Sequence, residues 1–244
     1  MNKVALLAIT HDPSGKNIRL FKESYEHLKH IYSELFITVS DQTSNELIQQ
    51  LNNSCFQVKI IPKLGAAHAR REVVSFGLTG ESTYFHYCDF DRLLTWSLYN
   101  LPELKDTVNG IQKNGYFIYG RTEYALNTHP TEWIETEKIT NKIFSLEIGM
   151  EADVTAGSCS FSRACATYIQ KYSKAKMTDA EWPLIISRIA KLPVNYKAVD
   201  GLQYVEEINA ITKKTSESER WLGRLKLSLF ISETAITTGK DEEM

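Results

Sequence analysis

The sequence predicts an α/β protein with a mostly parallel central sheet and helices on both faces, and three observations carry that prediction. Apolar runs of strand length alternate with stretches whose apolar residues recur at helical spacing. The first of these runs, Val4 to Ile9, is continuous in hydrophobicity, the pattern of a strand buried on both faces. Several of them end in short polar turns, Thr10-His11-Asp12, Ser40-Asp41 and Asp89-Phe90-Asp91, and ligands of such sheets bind at the carboxyl ends of the strands.

Val4 to Ile9 is the first strand, ended by Thr10-His11-Asp12-Pro13-Ser14-Gly15. Ile18, Phe21, Tyr25, Leu28 and Ile31 then set a helix from Asn17 to Ser33. Leu35 to Val39 is the second strand, a short helix passes through Leu47 and Leu51, and Phe56 to Ile61 is the third strand, ended by Pro62. The small-residue segment Gly65 to Val74 reads as a helix able to pack close to a sheet. Tyr84 to Cys88 is the fourth strand, and it breaks abruptly into Asp89-Phe90-Asp91. Side chains alternate along a strand, so Asp89 and Asp91 are expected on one face with Phe90 on the other. Like charges that close call for a cation, and a hard divalent ion, Mg²⁺ or Mn²⁺, fits carboxylate oxygens together with substrate phosphates.

After Asp91 the pattern loosens. Leu94 to Gly115 predicts one or two helices broken near Pro102, and Tyr116 to Gly120 a strand. Thr131 opens a helix towards Gly149, with Trp133, Ile134, Ile143 and Phe144 as apolar anchors. Asp153 to Phe161 is strand-like and rich in small residues, which leave room for a ligand or for close packing. Thr178 and Glu181 have capping-box spacing ahead of the apolar run Trp182 to Ile189. Val194 to Val199 is the last strand, and Ser216 to Ile236 the C-terminal helix.

Composition narrows the function classes. Charged residues make up 24% of 244 residues and the net charge is −2, so no nucleic-acid partner is expected. No run is long and apolar enough to span a membrane, and the N-terminus lacks the pattern of a signal peptide, so a cytoplasmic location is expected. Cys55, Cys88, Cys159 and Cys165 lack metal-ligand spacing and read as buried free thiols. The expected organisation is one domain over residues 1–215, with a nucleotide-binding half 1–92 and an acceptor half 93–215. A C-terminal helix, 216–238, and a disordered tail, 239–244, follow. The helix carries Trp221, Leu222, Leu225 and Leu229 among basic residues, a composition that suits packing on its own domain, a homo-oligomer contact or peripheral contact with a membrane.

Order and spacing of these segments resemble the GT-A-fold glycosyltransferases, in particular the family 2-like and dolichyl-phosphate mannose synthase-like enzymes. Lys63-Leu64-Gly65-Ala66-Ala67-His68-Ala69-Arg70 looks like the family's Gly/Ala-Arg helix, and Tyr87-Cys88-Asp89-Phe90-Asp91 like its DxD strand end. Ser40-Asp41-Gln42-Thr43-Ser44 partly matches the family's Asp-Asp-Gly-Ser segment. Ala180-Glu181-Trp182-Pro183-Leu184 is similar to its Glu-Asp-Trp segment, with Ala and Glu where Glu and Asp are usual.

The resemblance implies a nucleotide-diphosphate sugar donor, an acceptor hydroxyl and a divalent metal. Asp91, with Asp89 contacting the ion through water or the ribose, is the expected metal site. Thr10, Asp12 and Asp41 lie where base or ribose would bind, and Lys63 and Arg70 can contact phosphates. Glu181 or Asp179 is the candidate base for an inverting transfer. His129 reads as a loop histidine rather than a third metal ligand, and Arg121 as facing solvent rather than the cleft. One competing reading is a catalytically silent nucleotide-sugar-binding protein of the same fold. Another is a haloacid-dehalogenase-like phosphohydrolase, disfavoured because Leu93 stands where that pattern has Thr or Val.

Overall fold

In the computed structural model, which describes residues 4–113, 115–209 and 216–240, seven strands form one sheet in the order β3-β2-β1-β4-β6-β5-β7. Strands β1 (Val4–Thr10), β2 (Glu34–Ser40), β3 (Phe56–Ile61) and β4 (Tyr84–Cys88) are mutually parallel and alternate with helices α1 (Ile18–Ile31), α2 (Asn45–Asn52) and α3 (Ala66–Gly77). Helices α4 (Phe90–Tyr99) and α5 (Leu101–Gly110) lead to β5 (Tyr116–Arg121), then α6 (Glu123–Asn127) and α7 (Thr131–Ile148). Strand β6 (Ser158–Ser162) inserts antiparallel between β4 and β5. Helix α8 (Arg163–Tyr172) follows, then α9 (Glu181–Leu184), which runs into a π-helical turn at Ile185–Ile189. Strand β7 (Val194–Val199) pairs parallel to β5, and α10 (Glu206–Asn209) and α11 (Glu217–Thr237) complete the order.

Two apolar cores sandwich the sheet. Along β1, Val4, Leu6 and Ala8 enter the core built with α1, α4 and α5, whereas Ala5 and Leu7 enter the one built with α3, α7, α8 and α11. Continuous hydrophobicity in β1 thus has the cause inferred from sequence: both faces are covered. Helix α3 lies close to the sheet because its last residue is Gly77, where an added Cβ would stand 2.4 Å from the Leu7 side chain.

Several expectations change. Asp89 and Asp91 do not continue a strand: Asp89 is the N-cap of α4 and Asp91 lies in its first turn, so their placement follows helix geometry and not strand alternation. Strand β6 occupies only the end of the predicted 153–161 segment, and α8 was not anticipated. Its buried side chains, Cys165, Ala166 and Ile169, do recur at helical spacing but are mostly small. The capping box at Thr178 does not form: Ala180 is the N-cap of α9 and makes no side-chain bond. A capping box does start α11, where Ser216 and Glu219 bond reciprocally. Cys55 is exposed, not buried. In the predicted tail, Lys240 pairs with Glu147 at 2.7 Å, and residues 241–244 lie outside the described set.

Candidate active site

The carboxyl ends of β1, β2, β3 and β4 border a cleft of about 310 Å³. Thr10 and His11 come from the end of β1, Ser40 from β2, and Ile61 to Ala66 from the β3–α3 turn. Asp89 and Asp91 also line the cleft, together with Trp133 of α7 and Asn209 of α10. Parallel strands that break into loops at one edge of a sheet create such a crevice without further design.

Two of the acids sit in unlike surroundings. Asp89 has both carboxylate oxygens engaged: Oδ1 accepts from the Tyr87 hydroxyl, and Oδ2 from Arg70 Nη2 at 3.0 Å. Its backbone N–H donates to the Gly157 carbonyl at 3.1 Å, and Gly157 has φ +78°. A Cβ at Gly157 would stand 2.7 Å from Asp89 Oδ2, so both the backbone conformation and the space require glycine. The Asp91 carboxylate accepts a single hydrogen bond among the described residues, from Asn209 Nδ2 to Oδ2 at 2.8 Å.

Arg70 joins the first four βα units to the chain's later half. From α3 it donates to the Tyr87 hydroxyl at 2.9 Å, to Thr178 Oγ1 at 3.1 Å, to Asp89 at 3.0 Å and to Asp179 at 2.8 Å. Burial opposes its charge, but the adjacent Asp179 and Asp89 carboxylates prevail and hold the guanidinium above its ordinary pKa. A permanently charged, four-way donor buried between two acids fixes their separation.

Beyond Asp89 and Asp91 lies a second cavity of about 200 Å³, with Asp179, Arg92, Arg121 and Arg224 in its wall and Trp133 shared with the cleft. Arg121 is buried rather than solvent-facing. It grips Asp153 with two bonds, Nε to Oδ2 at 2.7 Å and Nη2 to Oδ1 at 2.8 Å. Desolvation of Asp153 is outweighed by Arg121, which keeps the carboxyl well below its usual range. Arg92 and Arg224 both stack on the Trp133 ring, at 5.7 and 4.0 Å from its centroid. Arg224 also pairs with Glu137, while its buried Nε has no acceptor among the described residues.

The remaining sequence candidates divide between the cleft and its supports. Thr10 and Lys63 line the cleft. Asp41 accepts the Lys63 backbone N–H at 3.1 Å and so holds the turn that bears that lysine. Asp12 is buried below the cleft, where its oxygens accept from the backbone of Lys16 and Asn17 at 3.1 and 2.9 Å. Glu181 points away from the cleft. It accepts from the Ser173 hydroxyl and from the backbone N–H groups of Lys174 and Ala175, at 2.5 and 2.6 Å. His129 bonds the Ala125 carbonyl at 3.0 Å, and burial lowers its pKa to about 3. His11 and Ser40 belong to the strand-end turns that the sequence marks for ligands, without a role of their own there; Asn209, Arg92 and Arg224 carry no site motif, and Trp133 reads from sequence only as an apolar anchor. Arg92 directly follows Asp91 and was the most accessible of these from sequence.

No family model matches the chain, and no curated protein matches it. Solved structures do. Glucosyl-3-phosphoglycerate synthase from Mycobacterium tuberculosis bound to uridine diphosphate aligns with TM-score 0.60 at 12% identity, over 98% of this chain and 81% of that one. This chain has the GT-A fold. The same enzyme with Mn²⁺, UDP-glucose and phosphoglyceric acid aligns with TM-score 0.56 at 11% identity, over 92% and 79%. With Mn²⁺, UDP and glucosyl-3-phosphoglycerate it aligns with TM-score 0.60 at 10% identity, over 98% and 81%. These neighbours are not dolichyl-phosphate mannose synthase-like enzymes, so the resemblance holds for the GT-A fold and not for that subfamily. Among the described residues no helix is long and apolar enough to cross a membrane.

Proposed function

We propose that this chain is a hexosyltransferase that moves a sugar from a nucleoside-diphosphate sugar to an acceptor hydroxyl, using Mg²⁺ or Mn²⁺ held at Asp91. The observation that carries the reading is the pairing of Asp89 and Asp91 at the mouth of the β1–β4 cleft, in a fold whose solved neighbours hold UDP and Mn²⁺. The donor set fits a hard divalent ion. Asp91 has carboxylate oxygen capacity to spare, and among the described residues no three His, Cys, Asp or Glu side chains are grouped so as to hold a metal ion by themselves. An ion bound through one protein carboxylate and substrate phosphates needs no such cluster. Bound there, it neutralises the charge that collects on the diphosphate as the anomeric bond breaks.

The chain's own residues take the other roles. Thr10, Ser40, Asp41 and the Lys63 turn cradle the nucleoside and diphosphate. Asp89, immobilised by Tyr87 and Arg70, orients the donor sugar or ribose and reaches the metal only through water. Of the two candidate bases Asp179 is the one at the cavity shared with Asp91, so it takes the proton of the acceptor hydroxyl. Inverting transfer follows from that role. The cations around Trp133 suit an acceptor that carries an anionic group, since Arg224 Nε lacks a hydrogen-bond partner among the described residues. The three buried free thiols are compatible with a reducing, cytoplasmic setting.

Calorimetric titration with UDP, GDP and their sugar conjugates, with Mn²⁺ present and then chelated, tests the reading. One nucleotide is expected to bind in a metal-dependent way, and Asp91→Asn to abolish that dependence while the circular dichroism spectrum stays unchanged. Absence of binding across the panel, or metal-dependent binding that survives Asp91→Asn, removes the basis of the assignment.

A further inference from the structure

Helix α11 leaves a long apolar stripe uncovered. Leu222, Leu225, Leu229 and Ile236 are 50, 55, 54 and 47% exposed and lie along one side of the helix at spacings of three, four and seven residues; Ser232, which falls on that line between the last two, is buried. The rest of the helix surface turned to the body of the protein is already used: Ser228, Ile231, Ser232, Thr234 and Ala235 are buried. Helix α7 runs parallel beside it, as Arg220–Glu132, Arg224–Glu137 and Ser228–Thr140 contacts show. With the two axes parallel and those residues between them, 100° per residue turns Ile139 and Leu146 of α7 to the same side as the α11 stripe. They are 56 and 70% exposed.

We infer that a second copy of this chain covers the stripe, α11 against α11 in antiparallel fashion about a two-fold axis near Leu229. Reversal about that residue sets Leu222 opposite Ile236 and brings Leu229 against its own copy. It also sets Lys226 beside Glu233 of the second copy on the flank away from α7. Both side chains are exposed and neither has an ion-pair partner among the described residues. In a parallel pair that flank would face the α7 flank of the other copy, and the two charges would not meet. The exposed apolar side chains of α7 and α11 present on the order of 600 Å², approaching the ~800 Å² per partner of a standard stable interface and at the upper end of what a monomer leaves open. A lipid surface is the poorer occupant: Glu217, Glu219 and Glu233 outnumber Arg220 and Lys226 among the exposed charges of α11, whereas membrane-lying helices are rich in Lys and Arg.

The pairing also concerns the site. The inward face of α11 supplies Arg224, Leu227 and Ile231 to the cavity beside Asp179, so docking the outer face braces that wall.

Light scattering on the full chain at micromolar concentration is expected to give a dimer, and Leu229→Glu a folded monomer, with the dissociation constant raised by at least about tenfold. Lys226→Glu should weaken the dimer, and Lys226→Glu with Glu233→Lys should restore it. With Cys55→Ser as background, Leu229→Cys should form a self-disulfide on mild oxidation. Leu222→Cys should cross-link to Ile236→Cys in a mixture but not to itself. A monomeric wild type overturns the inference, as does a dimer that Leu229→Glu leaves intact. Association of a monomer with phosphatidylcholine vesicles, lost in Leu229→Glu, would replace the second copy by a lipid surface.

Discussion

Among single residues, the acids near the cleft divide by what holds them. Asp179 and Glu181 stand two positions apart, yet one faces the cavity through Arg70 and the other is turned inward to the 173–175 loop. If Asp179 is the base, Asp179→Asn keeps the hydrogen-bonding shape but cannot accept a proton. Turnover is expected to fall about 10²–10⁴-fold with donor affinity little changed. Equal losses of donor binding and turnover would instead assign Asp179 a structural role beside Arg70. Glu181→Gln should behave in the opposite way. The neutral amide weakens three charge-assisted bonds and turns one donor towards other donors, costing about 2 kcal/mol in a urea unfolding series, while turnover per folded molecule is retained. This difference was not legible in the sequence. The family-like segment pointed to Glu181, and only the return of the chain after α8 decides which carboxylate meets Arg70.

At the scale of elements, most strands and long helices were legible because burial on both faces leaves a continuous apolar signal and surface helices leave a periodic one. Val4 to Ile9, Leu35 to Val39 and Ile18 to Ile31 read correctly for that reason. The direction of β6 was not legible. Reversal of a strand between β4 and β5 is set by how the 149–157 loop crosses the sheet edge, and nothing in Ser158–Ser162 encodes it. What the small residues before β6 are for emerges only in three dimensions: Gly157 is where that loop touches the N-cap of α4. Gly157→Ala would place a left-handed backbone strain and a methyl group against Asp89 at once. A loss of about 1–3 kcal/mol is expected, together with loss of metal-dependent nucleotide binding, because the displaced carboxylate leaves Arg70. Wild-type binding in this variant would show that the approach of loop and N-cap is incidental.

For the molecule as a whole, the central sheet carries a titration that links folding to pH. His86 lies wholly buried on β4, and its two ring nitrogens meet the Tyr32 hydroxyl at 2.7 Å and Ser158 Oγ at 3.0 Å. Ser158 donates its own proton to the Tyr87 carbonyl, so its oxygen accepts from His86 Nε2–H, and Nδ1 accepts from Tyr32. Nε2 already carries its proton, and Nδ1 cannot take one without losing the bond it accepts from Tyr32. Burial accordingly lowers the His86 pKa from the ordinary 6.5 to about 3. Below pH 6.5 the unfolded chain takes up a proton that the folded chain refuses, so stability falls as pH drops from 6.5 towards 3 and is fully present above 6.5. The slope for one such group is about 1.4 kcal/mol per pH unit, or about 2 kcal/mol between pH 6.5 and 5. His129, lowered to about 3 chiefly by burial and then by Arg92 and Arg121, acts in the same direction. Urea unfolding of wild type and His86→Gln at pH 7 and pH 5 separates this contribution from that of the carboxylates. The variant is expected to be less stable at pH 7, yet to lose about 2 kcal/mol less than wild type on acidification. Equal losses in both proteins would mean that His86 is protonated in the folded state and that the Tyr32–His86–Ser158 chain rearranges to admit the charge.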